Sequence, residues 1–391
     1  KVADLDEAGY RFDMGPNVLT MPHEFDQVFQ LVGTRLADEV DLVRLDPQVT
    51  YRWPNGSSLR IADDPAATAA AVEAFSPGSG PAWQRFTEHA QRVWTATVDG
   101  VLAGAPGRRA RTSGDLDAGR TLAKASASFF DDVRLQQLVN RYATYSGSSP
   151  YAAPATAAGV FHAEQAFGTW YVTGGIGRLR DALVRAATAV GVDIRTGVDV
   201  GRIASNGRAV TGVELADGGG EGAEIVVSDV DAAHLYVDLL PRPKQAKQLD
   251  KAGVSTSAFV VCAAVRGPTE GIGHHSVFFP LHDRQEFKFL EAGQLAIDPT
   301  LQVSVSSVTD AGQAPPDGEN WWVLVQTPPA IGIDRKLMTA GVLNRLAERG
   351  FDVRTRIDFT RTLLPADFDA RYRAPGGAIH GTATHGRKAV L

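Results

Sequence analysis

The chain has 391 residues, enough for roughly two to three domains at about 100 to 200 residues each, or for one large fold with insertions. Apolar residues at 44% and charged residues at 21% exclude a disordered chain and a coiled coil. With 39 basic against 45 acidic side chains, a net charge of -6, the chain is no candidate for gripping nucleic acid by its phosphates.

A single cysteine, Cys262, excludes an internal disulfide, has no zinc-type Cys/His cluster beside it, and suits a reducing compartment. The longest apolar run, Ala258 to Val265, is far short of the roughly 20 residues that cross a bilayer as a helix. The first residue is Lys1, no charged-then-apolar leader follows it, and Leu391 stops within an element, so both ends read as cut.

In chain order, Val2/Leu5 and Tyr10/Phe12 alternate as short strands about Gly9, and Gly15-Pro16 breaks the pattern. Phe25, Val28, Phe29 and Val32 recur at helical spacing, with Gly33 as C-terminal stop. Two short runs around Asn55-Gly56 predict a β-hairpin over Val49 to Ile61. From Asp64 to Gly147 the composition turns helical, and a helix is expected over Asp132 to Tyr145.

Between Thr169 and Thr196 a strand, a Gly174-Gly175-Ile176-Gly177 turn, a helix and the strand VDIRT read as a βαβ-like unit. The third glycine of a G-x-G-x-x-G loop would fall on Arg180, so these glycines suit close packing better than a dinucleotide. Strands then dominate: VDVGRIA, AVTGVELAD, EIVVSDV, the run around Cys262, SVFF, LQVSVSSV and WWVLVQT. A helix over Leu337 to Arg349 and a further strand pair precede a Gly-rich tail. The pattern predicts an α/β nucleotide-binding layer with a sheet-plus-helix domain inserted into it.

No hydrolytic elbow, HExxH or P-loop is present. His274-His275 points its rings to opposite faces of a strand, which disfavours a shared metal; a surface turn is expected there, and no metal site. Arg108, Arg109 and Arg111 form a basic cluster, either a solvated turn or a contact for anionic headgroups. Asn140 to Tyr171 interleaves aromatic and small residues, as in the wall of an apolar tunnel or as in a core. Arg141, His162 and Glu164 are its ionisable members, open to acid-base or salt-bridging roles.

The runs GYRFDMGPNVLTMP, RYATYSGSSPYAAPAT, GTWYVTGGIGRLRDALVRAATAVGVDIRTGVDVGRI, VVSDVDAAHLYVDLLP, DGENWWVLV and GGAIHGTATHGRKA, in that order, resemble the bacterial-type phytoene desaturase family of flavin-dependent carotenoid desaturases. MGPNVLTMP and RYATYSGSSP are most similar to the hydroxycarotenoid 3,4-desaturase branch. The resemblance implies FAD on a Rossmann-type layer formed by residues 1–20, 171–235 and 376–391, with substrate-domain segments 21–170 and 236–375. Gly15, Pro16 and Asn17 are then expected near the flavin ring, Val200 near the adenine, and Ser228 and Asp229 beside the FAD. The family's two Gly-rich flavin motifs are not among these residues, so the chain as it stands is expected to lack FAD, with an empty cleft beside Gly15, Val200 and Ser228 and with Lys1 and Leu391 ending close to it.

The implied reaction moves a hydride from an allylic carbon to the flavin and a proton from the neighbouring carbon, giving a conjugated double bond in a long polyisoprenoid. Arg141 and Glu164 are the catalytic candidates, and Tyr142, Tyr145, Phe167 and Trp170 are expected to line one tunnel leading to Gly15. A water-insoluble substrate and no spanning helix imply a cytoplasmic protein docked on a membrane surface, with Val101 to Arg111 at the tunnel mouth. A non-catalytic isoprenoid carrier of related fold and an amine oxidase are the alternatives.

Overall fold

The computed structural model describes residues 2–98 and 114–385. Val101 to Arg111, with its three arginines, and the two end residues Lys1 and Leu391 lie outside the described residues. The strands are β1 (Asp4–Glu7), β2 (Tyr10–Asp13), β3 (Leu42–Arg44), β4 (Val49–Arg52), β5 (Ser58–Ile61), β6 (Trp170–Val172) and β7 (Val200–Ser205). They continue with β8 (Val210–Leu215), β9 (Gly220–Gly222), β10 (Ser257–Arg266), β11 (His275–Phe278), β12 (Leu301–Val305), β13 (Gly318–Thr327) and β14 (Ile357–Leu363).

Seven of these strands form the central sheet, in the order β14-β10-β13-β12-β11-β4-β5. Every pairing in it is antiparallel except β4 with β11. The hairpin expected around Asn55-Gly56 is its edge, with Val49 opposite Ile61.

Strand alternation gives the sheet two different faces. On one, Phe259, Val261, Trp321, Val323, Val325, Leu301 and Val303 pack beneath Val342 and Leu346 of the helix Arg335–Glu348. Asp334 caps that helix by accepting from Leu337 N–H at 2.9 Å. On the other face, Ala258, Val260, Cys262 and Ala264 meet Tyr10 and Phe12 of the first hairpin and Phe368 of the helix Pro365–Tyr372. Part of that second face is left uncovered by these elements, and it becomes the floor of the site.

The helical block packs on the β4–β5 end. Trp83, Phe86 and Ala90 from the helix Gly80–Thr97 join Leu135, Leu138, Tyr142 and Phe161 against Tyr51, Trp53 and Leu59. Burying such large side chains stabilises the fold by roughly 1.5–3 kcal/mol each. Edge-to-face packing of Phe161 on Trp83 and on Tyr142, with centroids at 5.4 and 5.5 Å, fixes the spacing of these helices. The expected Asp132 to Tyr145 helix is an α-helix over Val133–Asn140 that tightens into a 3-10 turn over Arg141–Ser146. Gly147, at φ 62°, then stops it.

Four expectations need correction. The βαβ-like unit does not form: β6 pairs antiparallel with β3, and VDIRT after the helix Gly177–Ala189 is not a strand. Val192 and Ile194 are exposed, with no ladder partner among the described residues; alternation without a neighbouring strand is not enough to hold a strand. EIVVSDV likewise stays irregular, with Ile225 and Val227 exposed at 81% and 92%. After the last long helix a single strand, β14, is followed by the helix Pro365–Tyr372, because Pro365 at its first turn and Asp367, bonded back to Leu364 N–H at 2.8 Å, start a helix. His274 is buried rather than on a surface turn: its Nδ1 meets Thr309 Oγ1 at 2.8 Å and its ring packs on Tyr171.

The Gly174–Gly177 turn carries carboxylates, not phosphates. Gly174 N–H donates to Asp310 at 2.8 Å and Ile176 N–H to Asp13 at 3.1 Å. Gly175, at φ 88°, has no room for a side chain, since a Cβ there would stand 2.9 Å from Asp13 Oδ1.

Candidate active site

The uncovered face of the sheet floors a cavity of about 650 Å³. Val260 of β10, Trp322, Leu324 and Gln326 of β13, Gln302 of β12 and His275 of β11 line its floor. Register puts them on one face: Val260 and Gln302 both lie opposite Leu324, and Ser304 lies opposite both Trp322 and His275. One wall is the loop Met14, Gly15, Pro16, Asn17 and Val18, delivered by the first hairpin. Another is formed by Asp229 to Ala232 with Ala374 and Ala378 to Gly381, and a third by Arg141, Thr144 and Tyr145 from the 3-10 turn.

Arg141 is 4% exposed. Its Nη1 donates to the Tyr51 hydroxyl and its Nη2 to the Tyr145 hydroxyl, both at 3.0 Å. Burial opposes its charge, but the oxygens of Tyr145 and Tyr51 and the Glu164 carboxylate outweigh that and hold the guanidinium protonated. Glu164 accepts the Tyr142 hydroxyl at 2.7 Å on one oxygen and the Tyr145 hydroxyl on the other. The rings of Tyr142 and Tyr145 stack at 5.6 Å. Guanidinium and carboxylate are thus linked through a phenol.

Burial, the nearby Arg141 and His274 hold His275 uncharged, far below the ordinary histidine range. Cys262, on the same face as Val260 but covered by the first hairpin, has its thiol pushed up to about 12 by burial and contacts Met14 Sδ at 3.6 Å, so it is a packing residue.

The expected site residues divide. Gly15, Pro16, Asn17 and Asp229 line the cavity, as do Arg141 and Tyr145. Glu164 and Tyr142 stand behind the wall. Phe167 and Trp170 do not share the cavity: Phe167 packs on His23 and Trp94, with ring centroids at 4.8 and 5.9 Å, and Trp170 bridges to Leu19 and donates to the Phe167 carbonyl at 2.8 Å. The single tunnel through all four aromatics is therefore replaced by a cavity that only Tyr145 reaches. His162 lies on the helix Ala158–Phe167 beside Trp94, away from the cavity. Val200 pairs with Leu215 in the β7-β8-β9 sheet and Ser228 is exposed; neither lines the cavity, so the expected cleft beside Gly15 is bordered by Asp229 instead. Among the described residues no His, Cys, Asp or Glu cluster has metal-binding geometry.

Gln302 and Gln326 escaped the sequence reading, and His275 and Trp322 were read there without a place in the site. Gln302 and Gln326 break the apolar alternation of central strands, and that interruption on one face was the available sign.

Three buried donors on residues that line the cavity, Asn17 Nδ2, Arg141 Nε and Trp322 Nε1, have no partner among the described residues. Buried donors of this kind call for acceptors on a guest. A flat heteroaromatic ring with carbonyl and imine acceptors answers Asn17 Nδ2 and Trp322 Nε1 beside the apolar surfaces of Pro16, Val260 and Leu324, so these residues fit a flavin ring.

Comparison with known proteins agrees. Residues 1–319 match the family model of flavin containing amine oxidoreductases. The chain is 34% identical over 97% of its length, and 79% of the relative's, to a hydroxyneurosporene desaturase of Cereibacter sphaeroides. It is 29% identical over 97% of its length, and 80% of the relative's, to a 4,4'-diapolycopene oxygenase of a Methylomonas species. Among solved structures, a putrescine oxidase redesigned at its cofactor site shares the fold, with a TM-score of 0.62 at 12% identity over 97% of this chain and 81% of that one. The chain belongs to the flavin containing amine oxidoreductase family and, within it, to the carotenoid desaturase type. It is an FAD-dependent oxidoreductase. Among the described residues no helix is long and apolar enough to cross a membrane.

Proposed function

We propose that the protein desaturates an acyclic carotenoid carrying an oxygenated end, in the cavity between the Gly15–Asn17 loop and the β10–β13 floor. The observation that carries this reading is the cavity itself, apolar over most of its lining and bordered by residues with unpartnered donors, Asn17, Arg141 and Trp322. When bound, the flavin supplies the two-electron acceptor for a hydride from an allylic carbon, with proton loss from the adjacent carbon completing the double bond.

The chain's own contribution is positional. Gly15, Pro16 and Asn17 would border the ring, and Asp229 lies on the wall beside Ala232. Val260 and Leu324 give the polyene an apolar bed and keep water away from the reacting carbons. Arg141 is a positioning residue on the wall. Glu164 acts through Tyr145, anchoring its hydroxyl, rather than as an acid or base in contact with the substrate. Of the segments 1–20, 171–235 and 376–391, the described residues form the cofactor side of this arrangement, and docking at a membrane surface gives access to the water-insoluble substrate.

The test is incubation of flavin-loaded protein with hydroxyneurosporene in liposomes and separation of the pigments. A product with one more conjugated double bond supports the reading. Unchanged pigment, with hydrogen peroxide formed from putrescine by the same preparation, would replace it with an amine oxidase.

A further inference from the structure

The side of the cavity nearest β11, β12 and β13 is more polar than a hydrocarbon guest needs. Arg141, His275, Gln302 and Gln326 line it together with Leu324. Arg141, Thr144, Gln302 and Gln326 also line a second recess of about 10 Å³ next to Glu286, so these four residues stand between the two spaces.

Arg141 is the cation of this group. Each terminal nitrogen gives one of its two N–H groups to a tyrosine hydroxyl, Nη1 to Tyr51 and Nη2 to Tyr145, and Nε has no partner among the described residues. Among the described residues no carboxylate touches it; Glu164 is reached only through Tyr145. Gln302 carries no side-chain hydrogen bond among the described residues, and Gln326 has only a long one, 3.4 Å, to the Thr144 carbonyl. A carbon-and-hydrogen polyene leaves all of these groups unanswered, and a buried polar group without a partner weakens binding. His275, uncharged beside Arg141, adds one ring nitrogen able to donate or accept a hydrogen bond, but no competing charge.

We propose that Arg141 and Gln302 bind an oxygen atom at the end of the polyene, and that this contact fixes which carbon-carbon bond lies against the flavin. The inference rests on the carotenoid reading above and adds a specificity-determining pair to it. Hydrogen bonds from a charged donor in a dry pocket are among the strongest available, so an end-group oxygen held here outweighs the freedom of a long chain to slide. The other source of an acceptor oxygen is the flavin ring itself, and the measurement separates the two.

Flavin-loaded protein in detergent micelles is titrated with neurosporene and, separately, with hydroxyneurosporene, following the quenching of tryptophan fluorescence. Wild-type protein is expected to bind the hydroxylated pigment at least about tenfold more tightly. In Arg141→Met the preference is expected to collapse to within about twofold, with neurosporene affinity and bound flavin per chain unchanged. Gln302→Leu, which leaves the Arg141 network intact, is expected to lower the preference by about threefold, and it decides the matter if Arg141→Met does not fold. No preference in the wild type, or a preference that survives both substitutions, overturns the proposal. Loss of flavin from Arg141→Met also overturns it, by assigning the guanidinium to the ring. If the wild type binds neither pigment, the carotenoid reading itself falls.

Discussion

Arg141 Nη2 donates to the Tyr145 hydroxyl at 3.0 Å, and that same hydroxyl donates to Glu164, so the buried cation and its carboxylate are joined through one phenol. The arrangement keeps the guanidinium on the cavity wall; a direct ion pair would draw it back into the helical block. It also makes the tyrosines structural as well as site residues.

Tyr142→Phe is therefore expected to destabilise the protein by about 1–2 kcal/mol, because the half-buried Glu164 loses one of its two phenol donors. Urea unfolding followed by circular dichroism measures it. Pigment binding should change little, since Tyr142 stands behind the wall.

Leu346→Ala removes a fully buried side chain from the far face of the central sheet. A loss of about 2–5 kcal/mol is expected, with bound flavin unchanged in protein that remains folded. Thermal and urea unfolding check the first part, and the visible flavin absorbance the second.

Gly377 sits at φ 74°, and a Cβ there would overlap the Pro365 carbonyl oxygen. Its neighbour Ala378 lines the cavity. Gly377→Ala is expected to cost more than about 1 kcal/mol and to weaken flavin retention, as the Ala378–Gly381 wall must shift. Flavin release during gel filtration reports the second effect.

Burial lowers the pKa of His274 from 6.5 to about 4. A depressed histidine adds stability that is fully present above its unfolded pKa and is lost as pH falls toward the folded value. The stability of the wild type relative to His274→Gln is thus expected to be flat above about pH 6.5 and to decline between about 6.5 and 4. Glu286 works in the opposite sense: burial raises it from 4.5 to about 7, so its contribution is complete below pH 4.5 and fades as pH rises through about 7. Comparing Glu286→Gln with wild type across pH 4 to 8 should give a difference of opposite slope.

Elements with local causes were legible in the sequence. Asn55-Gly56 supplies its own turn, and Asp132 caps its helix by accepting Arg134 N–H at 2.9 Å. Segments that depend on a neighbouring strand were not: VDIRT and EIVVSDV have strand-like alternation but no ladder among the described residues. The site was half legible. Gly15 to Asn17 and Arg141 carry recognisable wording, whereas Gln302, Trp322 and His275 meet only through the pairing of β11, β12 and β13. Aromatic density misled in the same way, because Phe167 and Trp170 alternate with small residues as Tyr145 does, yet pack on His23 and Leu19.

The most direct measurement mixes flavin-loaded protein with hydroxyneurosporene in the absence of oxygen and records the visible spectrum. The account predicts that the flavin bands bleach while the polyene absorption moves to longer wavelength, in equal molar amounts, and that putrescine leaves the flavin oxidised. Bleaching by putrescine, with the carotenoid spectrum unchanged, would contradict it.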